Sequence, residues 1–212
     1  MNSAKNNLIF VHGWALGEDF FKPLMQLCES STLNNRGYFE PAQTEKIPVG
    51  ATVITHSMGL HFLGEEDFKN IKNLIICGGF LNFHQGPTVK AVRRMITKMT
   101  SSPNVVVTDF YKGLSFPEPP TLKPPEIKNK DLLKSDLMFL NKSTFDIKNL
   151  DSVENILILQ GDSDMVVPME KAHELAAAQP RAKLIIQPDW GHGFLYQYPE
   201  ESLKIIEEFL CP

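Results

Sequence analysis

The stretch from Thr52 to Leu60 constrains the fold of this chain more than any other. Its β-branched run Val53-Ile54-Thr55 stops just before Ser57, and Gly59 follows two residues later. The run predicts a buried strand, and the residues from Met58 to Gly64 predict a short helix. A serine on such a sharp strand-to-helix turn is the geometry of a nucleophile elbow, which projects the hydroxyl beyond the end of the sheet. The helix that follows directs its free N–H groups at the same place.

Length and composition are those of one globular domain with a sizeable core, since the chain has 212 residues and 42% of them are hydrophobic. The net charge of -4 argues against a nucleic-acid partner. The cysteines (Cys28, Cys77 and Cys211) are odd in number and lack metal-ligand spacing, which favours a reducing compartment. The sequence has no apolar signal segment and no run long enough to cross a bilayer. We therefore expect a cytoplasmic protein that does not bind membranes.

Apolar strands alternate with helical patterns along most of the chain. This alternation predicts an α/β fold with a mostly parallel, doubly wound sheet and helices on both of its faces. The predicted strands are Leu8 to Val11, Thr32 to Asn34, the strand before Ser57, Asn73 to Cys77, Asn155 to Gln160 and Ala182 to Gln187, and the predicted helices outside the middle region are Glu18 to Cys28, Pro168 to Ala178 and Pro199 to Leu210.

Residues 81–148 differ in character from the rest of the chain. They contain a proline-rich stretch and two amphipathic helix candidates, Thr88 to Thr100 and Lys130 to Leu140. We interpret them as a small helical cap, or lid, inserted into a core formed by residues 1–80 and 149–212. The cap carries eleven Lys and Arg against six Asp and Glu, whereas the rest of the chain is acidic.

Serine, acid and histidine occur at successive strand ends, where open α/β sheets bind their ligands. Ser57 follows one predicted strand, Asp164 lies in the loop after a later one, and His192 follows the last. This is the chain order of the catalytic residues in α/β-hydrolases. Asp162 competes for the acid position, but it follows directly after a strand-ending glycine, where an Asx turn is the usual role.

The chain resembles the α/β-hydrolase superfamily over nearly its whole length outside the cap. His12-Gly13-Trp14-Ala15-Leu16 is similar to the H-G-W-G-[LM] opening of BioH-type carboxylesterases, which cleave the methyl ester of pimeloyl-acyl-carrier protein in biotin synthesis. Gly161-x-x-Asp164-x-x-Val167-Pro168 fits that group, and so does Gly191-His192-Gly193-Phe194 followed by Pro199. Two residues depart from the pattern, because Thr55 and Ala15 stand where glycine is usual.

The resemblance and the chemistry together predict a role for each site residue. Ser57 attacks an acyl carbonyl, His192 accepts and returns the proton, and Asp164 orients the imidazole. The backbone N–H groups of Trp14 and Met58 form the oxyanion hole. This chemistry needs no cofactor, and no histidine and carboxylate set has the spacing of a metal site.

Two further histidines lie close to these residues in sequence. We expect His12 to stabilise the loop after the first strand. His56, directly before the serine, is a candidate pocket residue.

The first cap helix carries a basic stripe. Lys90, Arg94 and Lys98 recur at every fourth position with Arg93 beside them, and the apolar residues Val89, Val92, Ile96 and Met99 form a separate face that could cover a pocket. A basic cap on an acidic body favours an acidic partner. The resemblance implies that this partner is an acyl carrier protein, whereas a solvated helix face is the simpler alternative.

The sequence therefore predicts a serine carboxylesterase, in its sharpest form one that acts on the methyl ester of pimeloyl-acyl-carrier protein. A broad short-chain carboxylesterase or a thioesterase remains an alternative within the enzymes. A non-catalytic binding protein of the same fold is the alternative outside them.

Overall fold

Six parallel strands form the centre of the molecule in the computed structural model, which describes residues 8–85, 88–119 and 121–211. The strand order across the sheet is β2-β1-β3-β4-β5-β6. The strands are β1 (Leu8–Val11), β2 (Ser31–Asn34), β3 (Ala51–His56), β4 (Ile71–Cys77), β5 (Asn155–Gly161) and β6 (Lys183–Gln187). All five neighbouring pairs are parallel. Their carboxyl ends therefore meet at one edge of the sheet.

Successive side chains of each strand enter two different cores, one on either face of the sheet. In β1, Phe10 belongs to one core and Ile9 to the other. This alternation follows from the period of two along a strand, and burial on both faces is why the strands are continuously apolar. The predicted doubly wound α/β architecture is confirmed.

Helices cover both faces. The helices outside the middle region are α1 (Glu18–Met25), α2 (Glu65–Asn70), α6 (Met169–Ala178), α7 (Phe194–Gln197) and α8 (Pro199–Leu210). Phe20 of α1 and Ile206 of α8 enter one core, whereas Phe68 of α2 and Ala172 of α6 enter the other. The sequence pattern did not predict α2 or α7, which are too short to establish a helical period.

Three α-helices of the described residues lie between β4 and β5, namely α3 (Thr88–Met99), α4 (Pro103–Ser115) and α5 (Lys130–Leu140). They fall within the predicted cap, whose bounds of 81 and 148 stay a prediction. The sequence analysis missed α4, because its first turns contain the β-branched run Val105-Val106-Val107, which favours strands over helices. Proline at its first position was the available signal.

Two connections are compact. Residues 35–50 join β2 to β3 without a helix, as the irregular sequence of this segment indicates. After β3 the chain forms a 3-10 helix, Ser57–Phe62, called here the elbow helix, and a second 3-10 helix, Ile147–Ser152, precedes β5. None of the helices in the described ranges is both long and apolar enough to cross a bilayer.

Candidate active site

Ser57 occupies a strained turn between β3 and the elbow helix. Its φ of +56° lies in the left-handed region, which non-glycine residues rarely adopt. Gly59, two residues later, packs so closely against β1 that a Cβ atom there would overlap the carbonyl oxygen of Val11. Strain of this kind costs about 1–3 kcal/mol and concentrates at functional sites. The turn leaves Ser57 at the carboxyl edge of the sheet, next to the end of β1.

Thr55 fits into β3 as an ordinary strand residue. It is fully buried and pairs with Val11 on one side and Ile76 on the other. Its hydroxyl donates to the carbonyl oxygen of Ile75 at 3.4 Å, so the polar group that replaces the usual glycine has a partner.

His192 and Asp164 form a buried pair. Nδ1 of His192 donates to Oδ2 of Asp164 at 2.6 Å. The other oxygen of the carboxylate accepts the N–H groups of Val166 and Val167 at 2.8 and 2.7 Å, and Gln160 donates to Oδ2 at 3.0 Å. These bonds fix the carboxylate and thereby the orientation of the ring. With Nδ1 donating, a neutral imidazole has its acceptor at Nε2.

Nε2 of His192 is buried and has no hydrogen-bond partner among the described residues. A buried polar atom without a partner is costly and calls for a functional explanation. An acceptor nitrogen in this position can take a proton from a hydroxyl group that approaches it.

Asp162 has a different role from Asp164. Its carboxylate accepts the N–H of Asp189 at 2.8 Å and the hydroxyl of Ser163 at 3.0 Å. It therefore shapes the turns after β5 and β6 and makes no bond to His192.

His56, the last residue of β3, connects this strand to the loop after β6 that contains His192, called here the histidine loop. Its Nε2 donates to the backbone carbonyl of His192 at 2.8 Å, and the two rings are 4.6 Å apart between centroids. Burial lowers the pKa of His56 well below its usual 6.5, so the ring is neutral at pH 7. The expectation that His56 is a pocket residue is wrong: the side chain is fully buried and lies outside the cavity described below. No local sequence pattern signals this anchoring role, because the contact joins residues 136 positions apart.

The loop after β1 lies directly against the serine turn. A Cβ atom on Gly13 would be 2.8 Å from Cβ of Ser57 and 3.2 Å from the backbone nitrogen of Met58. His12 holds this loop from within: its Nδ1 donates to the carbonyl oxygen of Gly13 at 2.8 Å. Ala15 has a φ of +52°, which lies in the left-handed region that favours glycine. This backbone conformation accounts for the glycine that is usual at this position.

The backbone N–H groups of Trp14 and Met58, which are the predicted oxyanion donors, therefore belong to two segments that pack against each other. Met58 is the second residue of the elbow helix, so its N–H has no acceptor within the helix. Trp14 is buried, and its indole Nε1 donates to the carbonyl oxygen of Leu133 in α5 at 2.8 Å. This bond holds the loop against the helices above it.

A cavity of about 500 Å³ opens above Ser57. Trp14, Ser57 and Met58 contribute to its wall on the sheet side. The remaining wall is mostly apolar and comes largely from α3, α4 and α5, including Val92, Met95, Val106, Phe110, Leu137 and Leu140.

The sequence predicted that the basic stripe of α3 and the side that covers the pocket are separate faces of the helix. This prediction is wrong, because the two overlap. Arg94 and Lys98 line the cavity, whereas Val89 and Ile96 do not. At 100° per residue, Ala91, Arg94 and Lys98 share one stripe, and the apolar face is centred further round the helix. Lys90 and Arg93 are exposed and lie outside the cavity wall. Lys98 is 3.5 Å from Asp109 of α4, and no such partner is found for Arg94 within the described ranges.

No cluster of His, Cys, Asp and Glu in the described parts of the chain has the arrangement of a metal site.

The strand order, the serine in a left-handed turn after β3 and the acid–histidine pair after β5 and β6 define the class: the chain has the α/β-hydrolase fold. A family model described as TAP-like protein matches residues 123–211. A search of the curated proteins finds no match.

Solved structures agree with this class. A bromoperoxidase from Bacillus anthracis and the esterase EaEST from Exiguobacterium antarcticum are each 16% identical to this chain, with a TM-score of 0.76, and each match covers 98% of this chain and 92% of the other. A hydrolase from Pseudomonas aeruginosa is 14% identical with a TM-score of 0.74, covering 99% of this chain and 91% of the other. At these identities the likeness concerns the fold.

Proposed function

We propose that the protein is a serine carboxylesterase with Ser57 as nucleophile, His192 as general base and acid, and Asp164 as the residue that orients the histidine. The observation that carries this proposal is the buried 2.6 Å bond between His192 and Asp164, which leaves Nε2 as the acceptor at the edge of the sheet where Ser57 lies. Esterases among the solved structures with this fold support it.

The proposed reaction assigns one step to each of these residues. His192 removes the proton from the Ser57 hydroxyl as the oxygen attacks the ester carbonyl, and the N–H groups of Trp14 and Met58 receive the developing negative charge. The protonated histidine, stabilised by Asp164, then donates its proton to the leaving alcohol. Water repeats the sequence on the acyl-enzyme and releases the acid. Because the same steps cleave a thioester, the site also fits a thioesterase.

The cavity favours an ester with an apolar acyl group. Its volume of about 500 Å³ lies within the range of small-molecule sites, and its wall is mostly aliphatic and aromatic. A substrate chain that fills it displaces water from the ester.

As the sharper form of this function we propose the methyl ester of pimeloyl-acyl-carrier protein as substrate, in the cytoplasm. The basic residues of α3 favour it. Arg94 and Lys98 lie in the cavity wall, where they can meet the anionic parts of such a substrate, and Lys90 and Arg93 face outwards, where they can meet an acidic protein.

Covalent labelling tests the catalytic proposal. We expect a fluorophosphonate probe to label the wild type at Ser57 and p-nitrophenyl esters to be hydrolysed, with both activities lost in Ser57→Ala. Ser163→Ala is the control, because its hydroxyl donates to the turn residue Asp162. A wild type that is neither labelled nor active would favour a non-catalytic binding protein.

Two experiments test the substrate. The gene should rescue a biotin auxotroph that lacks its pimeloyl ester esterase, and failure to rescue with short esters still cleaved would leave the general carboxylesterase. Charge reversal at Lys90 and Arg93, which are exposed and lie outside the cavity wall, should slow turnover of the carrier-bound ester at least tenfold and spare p-nitrophenyl butyrate. An equal loss on both substrates would contradict binding of a carrier protein.

A further inference from the structure

Arg36 and Asp136 form an ion pair between the segment after β2 and the cap helix α5. The guanidinium donates from Nη2 to Oδ1 at 2.7 Å and from Nε to Oδ2 at 3.1 Å. The hydroxyl of Tyr38 donates to Oδ2 of the same carboxylate at 2.5 Å. Asp136 is 4% exposed, which is unusual for a carboxylate on a helix of this kind. Bidentate hydrogen bonds of this type fix the orientation of the two side chains as well as the distance between them.

From this pair, Arg36 reaches the loop that carries Trp14. Its backbone N–H donates to Nε2 of His12 at 3.0 Å, and Nδ1 of the same ring donates to the carbonyl oxygen of Gly13 at 2.8 Å. Burial lowers the pKa of His12 to about 4, so the ring is neutral at pH 7 and can accept one bond and donate the other. The peptide that follows Gly13 carries the N–H of Trp14.

Arg36 also reaches the elbow helix, which carries the other oxyanion donor. The Cζ atom of the guanidinium lies 4.2 Å from the ring centroid of Phe62, the last residue of that helix. This is the geometry of a cation–π contact. Met58 lies four residues earlier in the same helix.

We propose that Arg36, held by Asp136, is a positioning residue that couples the seating of cap helix α5 to the geometry of the oxyanion hole. It is the point at which the cap, the loop after β1 and the elbow helix meet. When α5 is seated, Arg36 aligns the N–H groups of Trp14 and Met58. When α5 moves, both donors lose their common support. This inference rests on the proposed esterase function.

Substitution of Asp136 tests the coupling in the full-length protein. Asp136→Asn keeps the size of the side chain but removes the charge that holds the guanidinium. We expect kcat on p-nitrophenyl butyrate to fall about 10- to 100-fold with KM within about twofold, because an oxyanion donor acts on the transition state. Affinity for an alkylboronic acid, which forms a tetrahedral adduct on the serine, should fall by the same factor.

Val107→Ala is the matched control. Val107 is buried in cap helix α4, does not line the cavity and belongs to a different helix from Asp136. It should lower the melting temperature to a similar extent and leave kcat and boronic acid affinity unchanged. If Val107→Ala lowers kcat as much as Asp136→Asn, the ion pair only stabilises the fold and the proposal is overturned.

The double variant Arg36→Leu/Asp136→Leu separates stability from positioning. With Tyr38→Phe added to remove the buried hydroxyl that donates to Asp136, replacing both charges by apolar side chains should restore the melting temperature lost in Asp136→Asn, since it leaves no unpaired buried charge or hydroxyl. We expect kcat to stay low. Recovery of kcat together with the melting temperature would overturn the coupling. An active wild type with unaltered kcat in Asp136→Asn would overturn this inference alone, whereas a wild type without Ser57-dependent hydrolysis would overturn the proposed function as well.

Discussion

At the scale of single residues, the site depends on which of two neighbouring carboxylates contacts the histidine. Asp164 accepts four hydrogen bonds, one of them from Nδ1 of His192, whereas Asp162 is occupied by the turn that contains Asp189. Although Asp162 and Asp164 are only two positions apart, Asp164 orients the histidine ring and Asp162 stabilises a local turn.

Amide substitution should separate the two acids. We expect Asp164→Asn to lower kcat for ester hydrolysis about 10⁴-fold, because an amide cannot hold the Nδ1–H tautomer or stabilise the imidazolium. Asp162→Asn retains the acceptor oxygen of its turn and should stay within about threefold of the wild type. Steady-state kinetics on p-nitrophenyl butyrate measures both, and comparable losses in the two variants would contradict the assignment.

Buried histidines should also make the stability of the protein depend on pH. Burial lowers the pKa of His61 and of His12 to about 4, while both titrate near 6.5 when unfolded. Between these values the unfolded state binds more protons, so the free energy of unfolding falls as the pH falls through this window. Each histidine contributes a loss of about 2 kcal/mol between pH 7 and pH 5.

His61→Gln tests this dependence. Urea unfolding at pH 7 and pH 5 should show a decrease in the free energy of unfolding that is smaller by about 2 kcal/mol in the variant than in the wild type. The same decrease in both proteins would show that His61 does not contribute.

At the scale of elements, the end of α4 and the segment after it hold the histidine loop. The N–H of Gly193 donates to the carbonyl oxygen of Leu114 at 2.9 Å, and Gln197 donates to the carbonyl oxygen of Ser115 at 2.7 Å. Gly191 packs against the backbone of Phe116 so closely that a Cβ atom would overlap its carbonyl oxygen. The helices between β4 and β5 therefore contact the candidate site next to His192 as well as next to Trp14.

Gly191→Ala should displace this packing and with it His192. We expect kcat to fall at least tenfold, because small displacements of a catalytic group are costly. Gly64→Ala is a suitable control, since the nearest atom to its new Cβ is 3.6 Å away. Ester hydrolysis and thermal unfolding of both variants would check this, and normal activity in Gly191→Ala would show that the loop can adjust.

The sequence predicted the elements whose signals are local. The strand before Ser57, the helix from Pro199 to Leu210 and the strand ends that carry Asp164 and His192 depend on short apolar runs and turn residues, and the structure has them at or within a few residues of the expected bounds. Contacts between distant segments could not be predicted in this way. The Arg36–Asp136 pair joins residues 100 positions apart, and the cavity side of α3 depends on how the helix is rotated over the sheet.

At the scale of the whole molecule, the cavity between cap and sheet should set the acyl chain length. Val106 of α4 is buried and lines the cavity, whereas its neighbour Val105 is 45% exposed and does not. Val106→Phe should occupy part of the acyl space and lower kcat/KM for p-nitrophenyl octanoate at least tenfold more than for the acetate.

Val105→Phe makes the same chemical change one residue away on the outer surface. It should leave the ratio of kcat/KM for octanoate and acetate unchanged. An equal shift of that ratio in both variants, or none in Val106→Phe, would mean that the acyl group binds elsewhere.

The ion pair between Arg36 and Asp136 also bears on how this molecule could be recombined with others. Because its two partners belong to different parts of the chain, an exchange of residues 81–148 for the equivalent segment of another hydrolase would remove the acidic partner of Arg36 unless the donor segment carries one in the same place. A chimera could then fold and bind its new substrate, yet turn it over slowly. Transplanting the carboxylate at position 136 together with the new segment would be the first correction to make.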